Sequence, residues 1–304
     1  MAKLEIQNIS FANNICESLY GGGIGLQFGG VSELVFSKCD FVNNSAKQNQ
    51  AISRPTQESK KPYYNGDGGG IQLGYICTMN DFVVTFNECN FKNNHAERHG
   101  GAIAIQTLKN VMISGCTFEN NVANYKFEDN SQLLAVENHF DKKSEGRGGA
   151  IYINPSYTYN DNSCKSPSEF MPNIEISSCQ FKENSGYDGY SMYVEGDDLG
   201  TLFTIKQNTF SDNYNKDNYK DDPNKIYGAV ITTEIHTIKE EQIIADNTFN
   251  YASSIIVKEL SYVDHFGKTP TSIFSSSKEF TPSKKIQTKS FTPSDSFTPS
   301  SEFT

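Results

Sequence analysis

The chain has 304 residues, a net charge of −10, a sequence pI near 5.0 and a mean hydropathy of −0.54. The acidic balance, with arginine only at Arg54, Arg98 and Arg147, argues against a nucleic-acid surface, which needs clustered Lys and Arg. No run of about 18 apolar residues is present, so no helix formed by these residues is expected to span a membrane, and the first eight residues lack the apolar core of a signal peptide.

Read in chain order, the sequence keeps returning to the same three elements. It opens on alternating Leu4 and Ile6, then FANN at Phe11–Asn14, then GGGI at Gly21–Ile24. The second pass gives Leu34/Phe36, Cys39, FVNN at Phe41–Asn44 and GGGI at Gly68–Ile71. The third gives Val84/Phe86, Cys89, FKNN at Phe91–Asn94 and GGAI at Gly100–Ile103. The fourth gives Val111/Ile113, Cys116, FENN at Phe118–Asn121 and GGAI at Gly148–Ile151. Weaker copies follow: Ile174/Ile176, Cys179, FKEN at Phe181–Asn184 and DGYSM at Asp188–Met192. Then come Phe203/Ile205, Asn208, FSDN at Phe210–Asn213 and YGAV at Tyr227–Val230, and finally Asn247 before FNYA at Phe249–Ala252.

Apolar residues two apart are the strand signature. A unit whose Phe-to-Phe spacing falls to 27 residues (Phe91 to Phe118), with three strand segments and Gly/Asn turns, cannot bury a face alone. Stacked copies can. The sequence therefore predicts an all-β chain wound as a right-handed parallel β-helix of about seven rungs, spaced as neighbouring strands are, about 4.8 Å apart. Phe, Ile and Cys should stack inward on their equivalents. The Gly pair should permit a sharp corner. The Asn that ends F-x-x-N should take a left-handed turn position and stack into an amide ladder. The four Cys at one repeat position read as an inward column rather than a disulfide framework, and Cys16 takes the small slot of Ala46, Ala96 and Ala123. Cys77 and Cys164 fall outside the columns and are the candidates for pairing or exposure.

Polar insertions at 47–66, 124–146 and 214–226 all follow F-x-x-N and precede the next Gly pair, so they should leave from one corner. Per-repeat insertions on one face often build a binding surface. A further insertion, 154–170, leaves after the Gly-pair strand, and Ser131–Phe140 reads as a short helix inside an insertion. Residues 1–265 form the expected β-helix domain. From about 266 the composition shifts to Ser, Thr, Pro and Phe, with Phe-Thr-Pro-Ser at Phe280, Phe291 and Phe297. Residues 266–304 therefore read as a disordered stalk or linker.

The alternation of GGA-I with F-x-x-N resembles the polymorphic outer-membrane protein repeat of bacterial autotransporter passengers and related surface proteins of parasitic protists. The resemblance covers residues 4–252. It implies a pectin-lyase-like solenoid ectodomain with roles in adhesion or antigenic variation, and it carries no catalytic residue to transfer. Such a rod followed by a stalk would be anchored at the cell surface by a segment beyond Thr304, and the chain would be a fragment or a gene product whose ends lie outside these residues.

Enzymatic β-helices supply the alternative, a polysaccharide lyase or glycoside hydrolase with a diverged site. Galacturonan hydrolases resemble a set of N-T-D, D-D, G-H-G and R-I-K. Here Asp197-Asp198 gives one acidic pair and His99-Gly100 half of another motif, in reversed order and without the rest. The pair reads better as turn residues, and the chain as not an enzyme. No metal or cofactor is expected. His95, His99, His139, His236 and His265 are scattered, no C-x-x-C occurs, and Gly22-Gly23-Ile24-Gly25-Leu26 is not followed by the Asp of a calcium repeat. Tyr187, Tyr190, Tyr193, Tyr214, Tyr219 and Tyr227 read as surface strand residues. Asn8-Ile9-Ser10 and Asn43-Asn44-Ser45 are sequons, so Asn8 and Asn43 are the candidate glycosylation sites. The expected partner is a protein or glycan ligand on another cell, met by a monomer with no membrane contact in these residues.

Overall fold

The structure, a computed structural model, describes residues 3–17, 21–26, 33–47, 66–73, 83–106, 110–124, 146–154, 173–186, 189–195, 202–213, 230–233, 240–250 and 257–259. These form a parallel β-helix. Each turn of it, here called a coil, runs through four sheets in the order A, B, C, D. Sheet A stacks Lys3–Gln7, Glu33–Ser37, Val83–Asn87, Asn110–Ser114, Asn173–Ser177 and Leu202–Lys206. Sheet B stacks seven strands, from Ser10–Ala12 to Thr248–Asn250. Sheet C has four: Ile15–Cys16, Ser45–Ala46, His95–Ala96 and Val122–Ala123. Sheet D stacks seven, from Ile24–Leu26 to Val257–Glu259. The repeat thus contains a fourth strand segment where the sequence predicted three. Strands of two residues are too short to leave an alternation.

Every pairing is in register with the repeat. Phe11, Phe41, Phe91, Phe118, Phe181, Phe210 and Phe249 pair in succession along sheet B. Their rings stack with centroids 4.7 to 5.1 Å apart. Phe36 and Phe86 form a second stack on sheet A and meet Phe41 and Phe91 edge-on at 5.8 Å. Such aromatic pairs add roughly 0.5–1.5 kcal/mol beyond the area they bury.

The cysteine column is buried. Cys39, Cys89, Cys116 and Cys179 direct Sγ at the carbonyls of Ile6, Phe36, Phe86 and Ile113, each one coil earlier. No disulfide joins these four. Asn208 fills the same slot two ways: its Nδ2 donates to Ile176 O, the equivalent carbonyl, and its Oδ1 accepts from Cys179 N. A thiol and an amide are interchangeable here because each sends a donor to the coil before.

The amide ladder runs through Asn14, Asn44, Asn94, Asn121, Asn184 and Asn213. In each of the first five, the backbone N and Nδ2 both donate to Oδ1 of the next. From Asn44 onward the second Nδ2 hydrogen goes to the Phe carbonyl of the coil before. The left-handed residue is not this one, as the sequence predicted, but its predecessor: Asn13, Asn43, Asn93, Asn120, Glu183 and Asp212 have φ of 53° to 60°. The last Asn must keep an ordinary backbone to turn its amide inward. The residue before it makes the bend, and three of these side chains pass an outer amide chain along the corner, Asn43 to Asn13, Asn93 to Asn43 and Asn120 to Asn93.

The two glycines of the Gly-Gly corners are constrained for different reasons, and the Gly189 corner keeps only the first, with Tyr190 at the second position. The first, as in Gly100 with φ +64°, takes the left-handed conformation. The second is a close approach: a Cβ on Gly101 would stand 2.1 Å from Gly149 O and 2.6 Å from the Val122 backbone of sheet C. The third position tolerates a methyl group, since Ala102 and Ala150 occupy it. Gly101→Ala should therefore lower stability by about 2–3 kcal/mol, while Gly70→Ala, whose Cβ would stand 2.8 Å from Ala102 O and so needs a small backbone shift, should cost clearly less, about 1 kcal/mol. Urea unfolding midpoints check this, and equal losses would contradict the assignment.

Helix Glu240–Asp246 stands where each earlier coil has its sheet-A strand. Its Ile243 is buried in the core, and Ile243 O accepts from Asn247 Nδ2, closing the Cys/Asn column. The domain boundary near 265, the tail 266–304 and the helix expected at Ser131–Phe140 lie outside the described residues.

Candidate functional site

The corner between sheets C and D carries the densest polar chemistry among the described residues. The residue just before the Gly pairs at Gly68, Gly100 and Gly148 is Asp67, His99 and Arg147 in turn. Backbone bonds stack them in one column, Gly68 N to His99 O at 2.9 Å and Gly100 N to Arg147 O at 3.0 Å. Arg98, one residue earlier, pairs with the fully buried Asp67 at 3.3 Å. His99 N donates to the other Asp67 oxygen at 3.2 Å, and Arg147 N donates to His99 Nδ1 at 3.3 Å.

The cluster lies on the outward row of sheet D, where Gln72, Ala104, Tyr152 and Tyr193 pair in succession. All four are buried, although they point away from the main core. His99 stacks on Tyr152 with centroids 4.5 Å apart, and the Arg147 guanidinium sits 4.5 Å over the Tyr193 ring. Glu195 ties the far end: it accepts from Tyr152 OH, from Asn154 Nδ2 at 3.1 Å and from Arg147 Nη1 at 3.5 Å. Both acids of the cluster thus face an arginine. Burial, reinforced by the Glu195 carboxylate, pushes the Tyr152 phenol well above its usual range.

Burial also holds His99 well below its usual pKa of 6.5, and the charges of Arg98 and Arg147 push the same way. Since Nδ1 accepts from Arg147 N, the hydrogen-bond network assigns the ring proton to Nε2. The sign follows from linkage. Below pH 6.5 the unfolded chain protonates this imidazole and the folded chain does not, so stability is lost as pH falls from 6.5 towards the folded value. The slope from this group is up to about 1.4 kcal/mol per pH unit. His99→Gln should lower stability at neutral pH yet flatten that part of the profile. Unfolding free energies of both proteins between pH 7.5 and 5 check it, and parallel profiles would contradict it.

Insertions leave from this same corner. Lys47, Glu97 and Asn124 stack, as Lys47 N and Asn124 N bond to Cys16 O and Ala96 O and Glu97 N to Ala46 O. Gly66, Arg98 and Gly146 stack likewise through Arg98 N to Gly66 O and Gly146 N to Arg98 O. One coil passes directly from Glu97 to Arg98, whereas its neighbours run 48–65 and 125–145 between those same two positions.

The sequence-predicted residues fall as follows. Asn8 and Asn43 are exposed in left-handed turns on two different corners; Asn43 Nδ2 donates to Asn13 Oδ1. His95 lies on a sheet-C strand. Tyr190 and Tyr193 are buried, not surface strand residues: Tyr193 lies on sheet D beneath the Arg147 guanidinium, and Tyr190 sits in the corner before that strand. Asp197, Asp198, His139, His236, His265, Cys77 and Cys164 lie outside the described residues. The convergence of Arg98 and Arg147 was missed. Its signal was the charged or titratable residue before each Gly pair, which differs in type from coil to coil and so does not read as a motif.

A model of the Chlamydia polymorphic membrane protein repeat matches residues 88–106 and 115–154. No curated protein and no solved structure gives a match. Among the described residues no helix is long and apolar enough to cross a membrane, which says nothing of a β-barrel. The matched segments hold the C-x-F-x-x-N and G-G-A-I elements of two coils, with Arg98, His99, Arg147 and Tyr152 among them. The chain carries the polymorphic outer-membrane protein repeat, a repeat of surface proteins, in residues 88–106 and 115–154, where it folds as coils of the parallel β-helix.

Proposed function

We propose that this chain is a non-catalytic β-helix ectodomain, displayed at the cell surface, whose C–D corner recognises a protein or glycan on another cell. The observation that carries this reading is the placing of the insertions. Segments 48–65 and 125–145 interrupt the same step of the coil, and 214–226 follows Asn213, the equivalent ladder residue two coils further on. Alternate coils therefore bear them, about 10 Å apart at the strand spacing. Beneath them lies a rigid floor of paired charges and stacked rings. Recognition by loops on a rigid scaffold is a common division of labour.

The test is deletion of 48–65 together with shortening of 214–226. Removing 48–65 leaves Lys47-Gly66-Asp67 between Ala46 and Gly68, the length of the uninterrupted Glu97-Arg98-His99 corner. Attachment to cells that bind the intact protein should be lost, while the β-type circular dichroism persists. Unchanged attachment would count against the corner. Release of reducing ends from a polysaccharide, abolished by Asp197→Asn/Asp198→Asn, would replace the reading with an enzyme.

A further inference from the structure

Two residues of the C–D corner give their backbone N–H to the side chain one coil earlier: His99 N to Asp67 Oδ1 at 3.2 Å and Arg147 N to His99 Nδ1 at 3.3 Å. The second bond holds the point at which the chain re-enters the coil, because Gly146 and Arg147 follow directly on insertion 125–145. Its acceptor is an imidazole nitrogen, so the bond exists only while that nitrogen carries no proton. His99 is buried and stacked on Tyr152. Among the described residues, the charges that act on its ring are those of Arg98 and Arg147, both positive. The two acids of the cluster already face those arginines. Asp67, which accepts from His99 N, pairs with Arg98, and Glu195, bonded to Tyr152 OH, pairs with Arg147. A proton on Nδ1 would set a donor against the Arg147 N–H and a third cation beside two others. The ring accommodates it by leaving its slot for water.

We infer that this corner is an acid-operated latch: protonation of His99 releases the Arg147 backbone and loosens the re-entry of insertion 125–145, while the inner columns stay closed. The latch regulates the proposed recognition surface. Its effect on attachment rests on that reading, but the opening itself does not. The Phe and Asn columns carry no titrating group, so nothing in them has to open for the ring to leave, and local openings of this kind need less free energy than global unfolding. The released imidazole has its ordinary value of 6.5 and the seated one lies well below it. Linkage then raises the open fraction about tenfold between pH 7.5 and 5.5.

The test is amide exchange on the full chain, read as protection factors so that the intrinsic pH dependence of exchange cancels. The Arg147 N–H should be protected at least roughly tenfold less than the Asn94 N–H, which is buried in the ladder and bonded to Asn121 Oδ1, and dilute urea should leave that value unchanged, as for a local opening. Its protection should fall about tenfold between pH 7.5 and 5.5. In His99→Gln, whose amide oxygen can accept the Arg147 N–H and does not titrate, the Arg147 value should be independent of pH. In His95→Gln, which removes the other described histidine, the fall should remain. Attachment to cells should drop more between pH 7.5 and 5.5 for wild type than for His99→Gln, each compared with its own value at pH 7.5. A pH-independent Arg147 N–H in wild type overturns the latch, and that measurement needs no variant to fold. Equal protection of the Arg147 and Asn94 amides at every pH overturns it too, since exchange would then be global. So does a fall that vanishes in His95→Gln. If the Arg147 N–H opens as expected and attachment does not respond, the latch stands and the recognition surface lies elsewhere.

Discussion

Phe118→Ala should lower the unfolding free energy by about 3–5 kcal/mol, while deletion of 125–145 should change it by less than about 1 kcal/mol. Phe118 is fully buried and stacks on both sides, 4.9 Å from Phe91 and 4.8 Å from Phe181. Truncation leaves two ring faces without partners and a cavity whose walls are strands. Those walls cannot close in, because each is pinned by ladder bonds to the coils before and after. The deletion acts on a different link of the chain. It joins Asn124 to Gly146, giving Asn124-Gly146-Arg147 between Ala123 and Gly148, again the length of the corner Glu97-Arg98-His99. No stacked column loses a member. Chemical unfolding of both variants against wild type decides the matter: similar losses would mean that 125–145 belongs to the coil and is not an excursion from it.

The same reasoning explains why so much of this fold was legible. A residue type that recurs at one repeat position, as Phe, Cys and Asn do here, is stacked on copies of itself, so its burial and register are read together. Two-residue strands such as His95–Ala96 left no pattern to read. The left-handed residue was misassigned by one position because Asn occupies both places in FANN, FVNN, FKNN and FENN; only FKEN and FSDN separate them, with Glu183 and Asp212 taking the positive φ. The polar corner was legible least. Asp67, His99 and Arg147 share a column through backbone bonds and through an N–H given to the preceding side chain, while their charged partners, Arg98 and Glu195, stand outside the column. A repeat search rewards sameness and passes over such a column. Likewise, the alternation of sheet D correctly turns Tyr152 and Tyr193 away from the main core, but periodicity carries no information on what lies against an outward face.

Asn121→Ala should be among the most damaging single changes outside the Phe stack, on the order of 4 kcal/mol. The Asn121 amide meets four groups: Oδ1 accepts from Asn94 N and Nδ2, and Nδ2 donates to Phe91 O and Asn184 Oδ1. Truncation leaves those four short of a bond, and Asn94 and Asn184 are fully buried, so water does not replace what is lost. Buried polar groups deprived of their partners each carry a penalty of about 1–3 kcal/mol, partly relieved by relaxation. The outer amide chain one residue earlier provides the control. Asn93 is exposed, with φ of 54°, and Asn93→Gly keeps the backbone free to adopt that angle while removing the side chain. Its bonds to Asn43 and Asn120 are open to solvent, so the change should stay within about 0.5 kcal/mol. Amide exchange gives a second readout, since the Asn94 N–H should lose protection in Asn121→Ala and retain it in Asn93→Gly. If both variants unfold at the same urea concentration, the inner ladder contributes no more than the outer one, and the stability of the coil must come from the Phe stack and the sheet pairing alone.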